Sequence, residues 1–122
     1  TVPGTDSPGA TKFNEIAKSN NFKAGPYTKE SYDSAALIML AMQAANSTNS
    51  NDFKSKVMDV ANAPGEKIFP GELAKGLKLL SEGKEIDYVG ASAVELIGGG
   101  ESAGNFAEIL IDNQKVTTVG YK

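Results

Sequence analysis

Residues 25–45 read GPYTKESYDSAALIMLAMQAA, and the character of this stretch decides the fold. Gly25-Pro26 interrupts whatever precedes it, because proline lacks an amide donor and restricts the residue before it. A helix is expected from near Thr28 to about Ala45. Its middle places Leu37, Ile38, Met39, Leu40 and Met42 in nearly every direction around the axis. A helix that is apolar all round belongs between layers of structure rather than on a surface. The uninterrupted apolar run, Ala35–Met42, is far shorter than the ~20 residues a membrane-crossing helix needs.

Working outward, residues 1–9 (TVPGTDSPG) read as loop, with Asp6 or Ser7 able to cap a first helix and Pro8 at its first position. Ala10, Phe13, Ile16 and Ala17 share one face of that helix, which should end near Ser19-Asn20-Asn21. Beyond Ala45, the polar run Asn46–Asn51 is a loop. Within it Asn46-Ser47-Thr48 matches the glycosylation sequon, for which a cap and a turn is the simpler reading. Asn51 is expected to cap a third helix carrying Phe53, Val57, Met58 and Ala61, stopped by Ala63-Pro64-Gly65. Phe69-Pro70-Gly71-Glu72 opens a fourth, with Leu73, Ala74, Leu77 and Leu80 inward and Gly83 as its stop. The periodicity then changes to two. Val94–Ile97 reads as a short strand. Asn105–Ile111 and Lys115–Tyr121 read as a hairpin around a polar turn at Asp112-Asn113-Gln114. Four helices before one hairpin leave the second helix short of cover, which fits an α/β protein continuing beyond this chain.

The chain has 122 residues, 40% hydrophobic and 22% charged, with a formal net charge of -3. Mean hydropathy is -0.25. These are the values of an ordinary globular domain, and the acidic balance argues against nucleic acid as the main partner. There is no Cys and no His. Thiolate chemistry, cysteine zinc sites, imidazole metal ligands and a Ser-His-Asp triad are therefore excluded. Glu82 and Glu85 flank a Gly-Lys turn and Glu15 stands alone on its helix, so no convergent carboxylate pair is visible for acid–base work. No metal site or cofactor is expected, and an enzyme is the last of the readings.

Three stretches carry a resemblance. GPYTKESYDSAALIMLAMQAA resembles the Gly-Pro-Tyr and Tyr-Asp-Ala segment of branched-chain-amino-acid-type periplasmic binding proteins, the extracellular ligand-binding receptors of ABC importers. FPGELAKGLKLLSEGKEIDYVGAS is similar to that family's helix and Gly-Ala-Ser region, and NFAEILIDNQKV to its closing hairpin. Where many relatives have an Asp-x-x-Gly-Asp turn near Val94–Gly100, this chain has Glu-Leu-Ile-Gly-Gly-Gly-Glu. The resemblance implies the C-terminal part of a type I periplasmic-binding fold, two α/β lobes joined by crossing strands. It assigns residues 1–24 to the second lobe, 25–97 to the first, 98–104 to a Gly-rich hinge crossover and 105–122 to a closing hairpin on the second lobe.

The same resemblance implies function. Solute, an amino acid or a related small amide or carboxylate, would bind between the lobes of a periplasmic or lipid-anchored extracellular receptor, which would then dock on an ABC permease. The position of Tyr27 carries a cleft-lining aromatic in relatives, and an aromatic after Gly-Pro sits on a fixed elbow before a helix. Asp33 is a second candidate, either attracting a ligand ammonium or simply favoured by the helix dipole. Tyr32 is expected to pack between layers. Asp87-Tyr88 followed by Gly90-Ala91-Ser92 reads as a tight turn that allows close backbone approach. Gly98, Gly99, Gly100 and Gly104 read as hinge, since glycine tolerates the rotations lobe closure needs. A sensor module of the same fold and a small helical interaction protein without ligand are the alternative functions. Alone, the chain is expected to self-associate or to stay bound to an upstream part.

Overall fold

The computed structural model describes residues 7–62, 64–93, 95–103 and 106–122. Among the residues singled out above, Asp6, Ala63, Val94, Gly104 and Asn105 lie outside the described residues. The first helix, α1, is Pro8–Ser19. Ser7 caps it: the Ala10 amide donates to Ser7 Oγ at 3.1 Å, and Pro8 occupies the first turn where no donor is missed.

Helix α2 is Thr28–Ala45. Thr28 Oγ1 closes its entry, donating to the Gly25 carbonyl and accepting from the Gly25 amide. At its far end Asn46 adopts the left-handed conformation, φ +50°. The Asn46 amide reaches the Gln43 carbonyl and the Ser47 amide the Met42 carbonyl, the bond pair of a Schellman turn with asparagine in place of the usual glycine. Gly83, at φ +76°, ends helix α5 (Leu73–Ser81) in the same way.

The expected third helix is split into α3, Ser50–Phe53, and α4, Lys56–Ala61. Its cap is Asn49, not Asn51: the Asn49 side chain accepts from the Asn51 amide at 2.9 Å. Two strands escaped the sequence pattern. Strand β1, Glu66–Ile68, and β2, Ile86–Tyr88, pair in parallel with Ile68 opposite Tyr88, and α5 connects them. Three residues are too few to show alternation, so this βαβ unit was hidden. The parallel pair, with α2, α4 and α5 packed about it, gives the mixed α/β character expected.

The main core gathers Leu40, Val60, Ile68 and Ile86, all fully buried, with Ala36, Ala41 and Tyr88. Helix α2 is buried along one stripe only. Ile38 and Met39 remain 42% and 43% exposed, so burial on every side does not occur among the described residues. The physical reason is supply: α4, α5 and the two-strand sheet cover one side of α2. A smaller cluster of Phe13, Ala17 and Ala91, with Tyr32 against it, docks α1, which the resemblance assigned to the other lobe.

Two antiparallel ribbons follow. Strand β3, Glu95–Ile97, pairs with β4, Glu101–Ala103, and Gly98–Gly100 make the turn between them, with Gly99 at φ +80°. Gly98, Gly99 and Gly100 thus form a tight turn between two paired strands. Strands β5, Ala107–Asp112, and β6, Lys115–Tyr121, form the expected hairpin. Asn113 and Gln114 both have positive φ, as a two-residue type I′ turn requires. All of β5, and β6 apart from Gly120, is exposed.

Candidate functional site

Asp33 lies in the second turn of α2, past the reach of the helix dipole, and is only 7% exposed. Its carboxylate reaches away from its own helix to the end of β2 and the segment that follows it. Oδ1 accepts from the Tyr88 hydroxyl and from the Ala91 amide, each at 2.8 Å. Oδ2 accepts from the Ser92 amide at 2.8 Å and from the Ser92 hydroxyl. A carboxylate offers about four acceptor positions, and here the chain fills them all.

The joint closes because two glycines let backbones meet. A Cβ on Gly90 would lie 2.5 Å from Asp33 Oδ2, and one on Gly9 would overlap the Gly90 carbonyl oxygen. The close approach expected of Gly90-Ala91-Ser92 is therefore present, and its partners are Asp33 and the first turn of α1. Burial, then the Asp33 charge, then the hydrogen bond to Asp33 push the Tyr88 phenol well above its ordinary range.

Tyr32 sits one residue from Asp33 and faces α1. Its ring meets Phe13 edge-on, centroids 5.4 Å apart, and its hydroxyl accepts from the Gly71 amide at 2.9 Å. The two neighbours thus do different jobs: Tyr32 packs between layers, and Asp33 ties the 88–92 turn to α2. A cleft of about 240 Å³ opens beside the tie, between Asp33, Ser34 and Leu37 of α2, Ser92, and Leu96 and Ser102 of the β3–β4 ribbon.

Tyr27 stands apart from this cluster. It is 79% exposed and occupies the left-handed region, φ +61°, at the entry to α2. For a bulky non-glycine residue that conformation is uncommon and costs on the order of 1 kcal/mol. The structure therefore brings together Asp33, Tyr88, Gly90 and Ser92, and leaves Tyr27 and the Gly98–Gly100 turn separate. Sequence reading missed the Asp33–Tyr88–Ser92 network, which joins residues far apart in the chain and has no local signature.

No family model matches the chain, and no solved structure matches it. The chain is similar to the chemotactic signal transduction system substrate-binding protein BasB of Halobacterium salinarum, with 30% identity over 67 residues. Those residues make up 55% of this chain and 16% of that protein. The likeness gives loose support to a solute-binding role. Among the described residues no helix is long and apolar enough to cross a membrane.

Proposed function

We propose that this chain is part of a solute-binding receptor that holds an amino acid, or a related small amide or carboxylate, between two lobes and performs no catalysis. The observation that carries the reading is the 67-residue likeness to a substrate-binding protein. The exposed Tyr27, held in a strained conformation at the entry to α2, supports it, since such strain tends to collect at functional sites. In this reading Tyr27 supplies a stiff aromatic face to the solute, and Asp33 acts as the anchor that fixes the start of α2 relative to the 88–92 turn. The Gly98–Gly104 segment is the crossover about which the lobes close. Solute touches both lobes only in the closed form, so binding shifts the population toward that form, which a membrane partner then reads.

The membrane partner of the importer reading is an ABC permease, and the location is periplasmic or extracellular. A second reading, a chemosensory receptor of the same kind, is favoured by the chemotactic role in the relative's name. Calorimetric titration of the receptor carrying this segment, against a panel of amino acids and their amides, tests the shared core of both. Micromolar binding of one member is expected, and a flat panel with unchanged melting temperatures refutes it. Solute uptake and swarming of a deletion strain then separate importer from sensor.

A further inference from the structure

We propose that Asn46 is a glycosylation site, an acceptor for an oligosaccharide carried on a lipid phosphate. The inference rests on the receptor reading in one respect, that the chain is exported to where such transfer occurs. Asn46-Ser47-Thr48 supplies the acceptor amide and the hydroxyl two residues on. A sequon is a weak signal by itself, and an acceptor asparagine needs a place on a surface loop. Here the geometry is permissive. Asn46 ends α2, and residues 47–49 belong to no helix or strand. Asn46 and Thr48 are both exposed.

The backbone work at this corner leaves the acceptor side chain alone. Asn46 makes the Schellman turn with its main-chain amide, so its side-chain amide is spared. Among the described residues that side chain makes no hydrogen bond. The loop is held instead by the middle residue of the sequon: Ser47 Oγ donates to Asp52 Oδ2 at 2.6 Å and accepts from the Asn49 amide at 3.1 Å. The residue that holds the loop is thus neither the acceptor nor the hydroxyl the transferase reads.

A second observation points the same way. Beside the sequon runs a shallow groove whose apolar part is Met39, Met42 and Leu77, with Met39 43% exposed. The apolar face of a first sugar, fixed at Asn46, would lie along these side chains and shield them from water. The site is also remote from the Asp33 joint. Asn46 follows Asp33 by 13 residues along α2, which is about 20 Å at ~1.5 Å per residue. A glycan there leaves the cleft beside Asp33 open.

In the transfer the Asn46 side-chain nitrogen bonds to the anomeric carbon of the donor sugar. The bond from that carbon to the lipid phosphate breaks, the lipid phosphate leaves with the electron pair, and the amide gives up one proton to a base of the transferase. No oxidant or reductant is involved.

The test is peptide mass spectrometry of the protein purified from its own cells. Trypsin cuts after Lys29 and Lys54, releasing a peptide from Glu30 to Lys54. The expected result is a carbohydrate-bearing form of that peptide, with fragmentation placing the sugar on Asn46. Asn46→Gln and Thr48→Ala abolish it and Thr48→Ser retains it. Only the unmodified mass, or sugar on Asn49 or Asn51, overturns the proposal. Solute titration of the same preparations is scored separately: an unmodified protein that binds solute defeats this inference and leaves the receptor reading intact.

Discussion

Replacing Asp33 by alanine removes an acceptor that four donors share. Two of those donors are buried. The Ala91 amide belongs to a fully buried residue, and the Tyr88 hydroxyl to one that is 6% exposed. Leaving a buried donor unpaired costs ~1–3 kcal/mol, and bonds to a charged partner sit at the upper end of that range. Ser92 is half-buried and can turn to water, so its two bonds add little to the loss. The expected cost of Asp33→Ala is therefore about 4 kcal/mol, a large share of the ~5–15 kcal/mol that holds a whole domain folded. Urea denaturation followed by circular dichroism measures it. Tyr88→Phe supplies an internal control, because it removes one of the orphaned donors. In the Asp33→Ala background its further cost should fall by about 1 kcal/mol or more relative to wild type, as expected of residues in direct contact. A cost for Asp33→Ala below about 1 kcal/mol, or strict additivity with Tyr88→Phe, would show that the joint contributes no stability and that the argument from buried donors fails here.

Gly90→Ala should approach the same loss, since its new Cβ would crowd Asp33 Oδ2 at 2.5 Å; a melting temperature within a few degrees of wild type would refute this. Leu40→Ala, at a fully buried position, should cost ~2–5 kcal/mol by denaturant titration. Tyr88 gives a pH dependence. Its folded pKa is raised above the ~10 of an unfolded tyrosine, so above that pH the unfolded chain releases a proton the folded chain keeps, and stability falls as pH rises. Ultraviolet difference titration should show one of the four tyrosines resisting ionisation until the protein unfolds; four that titrate together would contradict it. In the proposed receptor, Tyr27→Ala should weaken solute binding by ~2 kcal/mol while leaving the melting temperature unchanged, and calorimetry with a thermal melt reads both quantities.

Much of the helical architecture was legible because its signals are local. Ser7-Pro8, Gly25-Pro26 and Gly83 mark helix ends through the backbone conformations they permit, and the structure honours each. The closing hairpin was legible for the same reason, from β-rich runs flanking a polar turn. What stayed hidden depends on partners distant in sequence. Glu66–Ile68 and Ile86–Tyr88 become strands only because they meet across α5, and neither is long enough to declare itself. Dipole reasoning ties Asp33 to its own helix, whereas its donors lie at the end of β2 and in the turn after it. The even distribution of apolar residues around α2 implied cover on all sides, which the sequence could promise but these elements do not supply.

The contact of Gly9 with Gly90 has a consequence for how the chain comes to be folded. The two residues lie near opposite ends of the globular part, and Asp33 between them in sequence meets the same spot. Bringing such distant points together requires closing a long loop first, so this contact is made late rather than early. During synthesis α1 is made before α2–α5, yet the surface that receives Phe13 and Ala17 includes Ala91, which follows only after β2. Until then Phe13 and Ala17 have Tyr32 of α2 against them but lack the Ala91 side of their packing. That side is supplied when the turn after β2 arrives and its amides close on Asp33, so a turn made late in the chain completes the seat of a helix made well before it.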